Sequence, residues 1–191
     1  MAARKEQGRS RLFVAADPPP GIQAEVSEWA RHLVRFTPGL RAVPARNIHI
    51  TLAFIGDRDR TEISGIADAV ADATDPASGL PVPTLSLGAP VWLPPRRPRA
   101  LALDIHDDRG DLAALQAAVA SSLDRSVGWR AGRPFRAHLT AARTGRGFET
   151  TGIRLPVSPA LLFEPESVTL YESTLHPDGA RYEPLERIEL G

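Results

Sequence analysis

The order strand, helix, histidine-bearing strand occurs twice in this chain, and any fold has to accommodate both copies. Residues 11–17 and 99–105 read as short buried strands. Each is followed by an amphipathic helix, over 20–36 and 110–127, and then by an apolar run carrying one histidine, His49 or His138. Arg11 and Arg99 open the first strands 88 positions apart, and the two histidines lie 89 apart. This agreement marks a weak internal duplication rather than an array of repeats. Two like halves facing each other would set the histidines on opposite walls of one cleft.

The first apolar run is Asn47-Ile-His-Ile-Thr-Leu-Ala-Phe-Ile-Gly56. Side chains alternate along a strand, so His49 and Thr51 are expected on one face, with Ile50, Leu52 and Phe54 on the other. The figure returns as Phe135-Arg-Ala-His-Leu-Thr-Ala-Ala-Arg143, again with a histidine and a threonine (His138 and Thr140) two residues apart. A histidine within a buried strand is an awkward core residue, because both ring nitrogens need partners. Two of them in matching contexts point to a site. By strict alternation Arg143 faces away from His138, so it reaches the same pocket only through the strand's end, a twist or a bulge.

In the first helix Ile22, Val26, Trp29, Leu33 and Phe36 form the inner stripe, ending at Pro38-Gly39. Residues 57–61 supply caps for a second helix over 61–74, with Ile63, Ile66, Ala67 and Val70 inward. The proline-bearing stretch 81–88 reads as an edge strand and 92–99 as a Pro/Arg loop. Leu112, Leu115, Val119 and Leu123 line the third helix, and 130–135 is a basic loop. Strands over 168–173 and 182–190 form a closing hairpin across a turn at 176–179. Residues 1–10 are expected as a disordered N-terminus, leaving 11–191 as a single bilobal domain.

At 191 residues, 42% of them apolar, the chain can bury a real core. Its net charge is zero, so any attraction to nucleic acid or an anionic membrane has to be local. The loop arginines Arg96, Arg97, Arg99, Arg130, Arg133 and Arg136, near the proposed cleft, are candidates for such a patch. The absence of cysteine excludes disulfides, thiolate metal sites and a cysteine nucleophile. The polar start has no signal-peptide core and no run approaches a membrane span, so a soluble cytoplasmic protein is expected.

Two histidines suggest a metal, but a site would need a third or fourth ligand, and no His-x-x-x-His or acidic cluster accompanies either motif. No serine sits at a Gly-x-Ser-x-Gly turn. Two imidazoles and two hydroxyls suit acid–base work on a small anion instead. Imidazole changes charge near neutral pH, so one ring can be a base while the other is an acid. Threonine hydroxyls can hold phosphate oxygens, and Arg143 can add a charge-assisted contact or stack on a base. Phosphodiester cleavage fits this kit. His32, His106 and His176 have no Ser or Thr two residues on and receive no role.

His49-Ile-Thr-Leu52 and His138-Leu-Thr-Ala141 resemble the paired His-x-Thr/Ser-x signatures of the 2H phosphoesterases. Their flanks, with Arg11-Leu-Phe-Val-Ala and Arg133-Pro-Phe-Arg-Ala, are similar to those of the RNA 2',3'-cyclic phosphodiesterase branch, historically called 2'-5' RNA ligase. The similarity runs from about Arg11 to the last hairpin, where Gly179-Ala-Arg-Tyr-Glu-Pro-Leu also fits. The resemblance implies an α+β, bilobal fold of two pseudo-symmetric lobes, with antiparallel sheets lining a central cleft. It implies hydrolysis of RNA 2',3'-cyclic phosphate ends, or nucleotides bearing them, to 2'-phosphates with no metal or other cofactor; a monomer is expected. By the same carry-over His49 is the proton donor, His138 the proton acceptor, and Thr51 and Thr140 hold the phosphate. Ala141 departs from the branch, which usually has a larger aliphatic residue there. Alternatives are a 2'-5' RNA ligase, another cyclic-nucleotide phosphoesterase, or a non-catalytic RNA-end binding module.

Overall fold

Strand ladders begin and end here where prolines, glycines and charged turns dictate. The computed structural model describes residues 8–176 and 179–190. In chain order the elements are β1 (Arg9–Asp17), α1 (Pro20–Val34), β2 (Leu40–Ala42), β3 (Ile50–Asp59), α2 (Ile63–Ala73) and β4 (Leu85–Leu93). They continue with β5 (Ala100–His106), α3 (Asp111–Val127), β6 (His138–Thr144), β7 (Leu162–Phe163), β8 (Ser167–His176) and β9 (Gly179–Glu189). The disordered start expected over 1–10 lies outside the described residues as far as residue 7. Arg9 already pairs with Asp59, two residues before the expected start of the first strand. Residues 177 and 178 of the expected turn also lie outside them, while the flanking His176 and Gly179 pair with each other.

Described strands pair antiparallel in the order β7-β4-β5-β6-β3-β1-β8-β9, with β2 on the edge of β6. The duplication is visible in that order: β5 beside β6 mirrors β1 beside β3, and the two histidine strands meet at the centre. Ile50↔Leu139 is the single register pair between them among the described residues, so the two expected sheets are one sheet with a narrow join. Helix α1 packs against β6 and α3 against β3, so each copy's helix covers the other copy's histidine strand. One apolar cluster draws on both halves, with Leu12, Val14, Ile50, Leu103 and Leu139 fully buried in it.

Several expected boundaries move for identifiable reasons. Pro81 and Pro83 lack an N–H donor, so β4 starts only at Leu85, and it runs on through Trp92 and Leu93 into the expected loop. Helix α1 ends at Val34 because Thr37, preceding Pro38, is disfavoured in the α region. Phe36, expected inside, therefore lies past the helix and is 75% exposed, while Ser27 and Ala30 take the buried face. Asp59 and Glu62 form a capping box ahead of α2, as the charged 57–61 stretch leads one to expect. Gly128, in the left-handed region at φ 63°, closes α3.

Candidate active site

Ile50↔Leu139 is an antiparallel pair, so its neighbours follow by register: position 49 lies beside 140, and 51 beside 138. Each histidine thus sits next to the other strand's threonine, on the face opposite the buried Ile50 and Leu139. Beyond this pair the strands part. The Leu52 carbonyl accepts from Gln116 Nε2 at 3.2 Å, and the Phe54 carbonyl from Trp129 Nε1 at 3.0 Å. Strand β2 takes the edge of β6, with Val43 N–H donating to the Ala141 carbonyl at 2.8 Å. The parting opens a cleft of about 780 Å³, lined by His49, Thr51, His138, Thr140 and Arg143.

Both strands carry a bulge at the same place. In β3 the pairing with β1 shifts between Thr51↔Ala15 and Ala53↔Val14, leaving Leu52 extra. In β6 the pairing with β5 shifts between Thr140↔Ala102 and Ala142↔Leu101, leaving Ala141 extra. An extra residue reverses the alternation beyond it. Leu52 with Ala53, and Ala141 with Ala142, are therefore all buried, and Phe54 and Arg143 swing onto the histidine face. Phe54, expected opposite His49, is a cleft residue, 51% exposed, with the Arg11 guanidinium 4.9 Å from its ring centre. Arg143 reaches the site by the bulge that simple alternation lacks. Ala141, the departure from the family pattern, is the extra residue and is fully buried.

The two imidazoles are anchored alike. Nδ1 of His49 donates to the Asn47 carbonyl at 2.9 Å, and Nδ1 of His138 to the Arg136 carbonyl at 2.8 Å. A carbonyl only accepts, so each Nδ1 carries the hydrogen and each Nε2 is left for a ligand. Ile48 precedes β3 and is fixed from α1, whose Gln23 Nε2 donates to its carbonyl at 2.9 Å.

Aromatic rings enclose His49: Phe13 stacks on it at 4.9 Å between centroids and Tyr182 meets it edge-on at 5.3 Å. Behind Phe13, Tyr171 stacks at 5.1 Å and donates from its hydroxyl to the buried Asp17 carboxylate. Burial among these rings, reinforced by the charges of Arg143 and His138, lowers the His49 pKa to about 4 against the pull of its hydrogen bond to Asn47. In the free protein His49 is therefore neutral at pH 7. An NMR titration of its ring should show a midpoint near 4, and inorganic phosphate should raise it. The unfolded ring takes its proton near pH 6.5. Unfolding therefore gains a proton in that window, and stability held above about 6.5 is lost as pH falls toward about 4. Denaturation at pH 7 and 4.5 should show a smaller loss for His49→Ala than for the wild type.

All five residues singled out in the sequence thus share one cleft. The loop arginines divide: Arg99, Arg133 and Arg136 line it, Arg130 pairs with Asp124, and Arg96 and Arg97 are absent from its lining. Arg136 is itself held by Asp104 at 2.8 Å. Alternation rules did not find Phe54, Phe13, Tyr182 or Gln116; an offset of 89 from Arg143 would have marked Phe54. No group of three or more His, Cys, Asp or Glu among the described residues is placed to hold a metal.

Fold and site together define a two-lobed protein whose cleft presents a His-x-Thr pair from each half. The chain belongs to the 2'-5' RNA ligase superfamily, whose profile matches residues 18–172. It is 29% identical to an Archaeoglobus fulgidus RNA 2',3'-cyclic phosphodiesterase, over 94% of this chain and 99% of that protein. An Escherichia coli protein of the same description is 30% identical over 93% of this chain and 94% of that one. Among solved structures, E. coli LigT complexed with 3'-AMP superposes with a TM-score of 0.77 at 28% identity, covering 95% of this chain and 98% of that chain.

Proposed function

We propose that this protein hydrolyses the 2',3'-cyclic phosphate of RNA ends, or of nucleotides bearing one, to a 2'-phosphate. The observation that carries this reading is the pair of Nδ1-anchored imidazoles lining one cleft from either side of a narrow join, each beside the other strand's threonine. Phosphate bound there would receive hydroxyl contacts from Thr51 and Thr140 and charge from Arg143. His138 takes a proton from water as the water oxygen bonds to phosphorus. The phosphorus–O3' bond breaks, and His49 gives its proton to the departing O3'. Because His49 is neutral in the free protein, the donor role requires the negative charge of the bound substrate to restore the proton to that ring. The pH limb belonging to His49 should accordingly sit higher in kcat than in kcat/KM.

Proline and aromatic side chains of the large cleft, among them Pro94, Phe135 and Phe54, suit a nucleoside. One chain carries both histidines, both threonines and Arg143, so the proposed chemistry asks nothing of a second copy. No helix among the described residues is long and apolar enough to cross a membrane. RNA ends as substrates favour a cytoplasmic setting.

Turnover of a 2',3'-cyclic mononucleotide in excess EDTA tests the reading. The expected result is undiminished activity with a 2'-phosphate as product. Activity that vanishes in EDTA and returns with Zn²⁺ or Mn²⁺ would refute the metal-free step, and tight RNA-end binding without turnover would favour a binding module. The family match also supports ligation, in which a 5'-hydroxyl takes the place of water, its oxygen bonding to phosphorus as the phosphorus–O3' bond breaks. Supplying a 5'-hydroxyl oligonucleotide and looking for a 2'-5' linkage would reveal it.

A further inference from the structure

A second cavity, of about 340 Å³, adjoins the site. It shares His49, Thr140 and Arg143 with the site and adds Arg41, Arg46 and Arg181. No described carboxylate lines it. Arg41, Arg46, Arg143 and Arg181 form no ion pair with any described residue, so no described carboxylate neutralises the charge gathered around this hollow. In a chain of zero net charge, four such cations around one small hollow are a local positive field.

Their placement is built into the backbone. Arg41 stands directly opposite Arg143 across the β2–β6 ladder. Like charges so paired are destabilising unless an anion lies between them. The opposite wall is the start of β9, and Asn47 Nδ2 ties it to the residues before His49 by donating to the Ala180 carbonyl at 2.9 Å. The same Asn47 accepts from His49 Nδ1. Cavity and catalytic ring are thus set by one residue.

We infer that this arginine pocket binds the phosphodiester one nucleotide 5' of the reacting phosphate, so that the protein prefers an RNA strand to a free nucleotide. The inference rests on the function proposed above. Division of the surroundings by chemistry supports it: the large cleft offers apolar and aromatic faces for a nucleoside, and the small one offers guanidinium groups, which match phosphate oxygens bidentately.

The test compares 2',3'-cyclic AMP with an adenosine dinucleotide ending in a 2',3'-cyclic phosphate, using wild type and the double variant Arg46→Gln/Arg181→Gln. Wild type should show kcat/KM at least about tenfold higher for the dinucleotide. Its salt dependence should be steeper, by about 0.7 in log–log slope for each additional phosphate neutralised. The double variant should lose this preference while keeping its rate on 2',3'-cyclic AMP, which also reports that it is folded. Arg46→Lys/Arg181→Lys should retain part of the preference. Equal kcat/KM for both substrates in wild type, or an equal fall on both in the variant, would overturn the pocket and leave the hydrolytic reading intact. If neither substrate turns over, the hydrolytic reading fails instead. The pocket is then judged by calorimetry with the dinucleotide 2'-phosphate, where affinity no greater than for 2'-AMP overturns it.

Discussion

Replacing either His49 or His138 by alanine should reduce kcat on a cyclic mononucleotide by about 10²–10⁴-fold, the range for loss of one positioned proton transfer. Each ring is held by Nδ1 on the carbonyl two residues earlier, so each presents Nε2 in a fixed direction. No other histidine lines the cleft to take over. The double variant should be little worse than either single one, because a concerted transfer lost at one end is not completed at the other. Steady-state kinetics with circular dichroism as a control for folding is the measurement. Wild-type turnover in either single variant would break the two-histidine mechanism.

Leu139→Ala should destabilise the protein by about 2–5 kcal/mol, the usual cost of emptying a fully buried leucine site. Leu139 and Ile50 are both fully buried and form the register pair on which the two halves join. Because they are register partners, Ile50→Ala and Leu139→Ala should couple, their combined effect departing from the sum by about 0.5–3 kcal/mol. Denaturant unfolding of the two single variants and the double variant reads this directly. A loss below about 1 kcal/mol for Leu139→Ala would mean that the join carries little of the fold. The same change should lower activity even where the protein remains folded, since His138 and Thr140 flank Leu139 on the strand.

Much of the site can be read from residue order because strand chemistry is local. A histidine and a threonine two residues apart share a face wherever the backbone is extended: His138 and Thr140 both lie in β6, and His49 directly precedes β3, which carries Thr51. The helices are legible for the same reason: the inward positions Ile66 and Val70 of α2, and Leu112, Leu115, Val119 and Leu123 of α3, are buried at helical spacing. Where alternation and periodicity fail, an irregularity intervenes. Phe54 falls on the unexpected face because a bulge leaves no mark in an apolar run such as Leu52-Ala53. Phe36 continues the stripe of α1 in periodicity but lies past the point where the backbone leaves the helix.

By itself the sequence determined which groups exist in duplicate and which pairs share a face. It also determined that no thiol takes part, for these follow from residue identity and the two-residue period of a strand. Only the tertiary structure decided that the two histidine strands pair with each other, about Ile50 and Leu139, and then separate into a cleft. It likewise decided that matching bulges turn Arg143 and Phe54 inward, that aromatic rings hold His49 neutral, and that Arg41 lies against Arg143. These outcomes depend on register between segments far apart in the chain, and register is set by how the buried faces of both halves fit together.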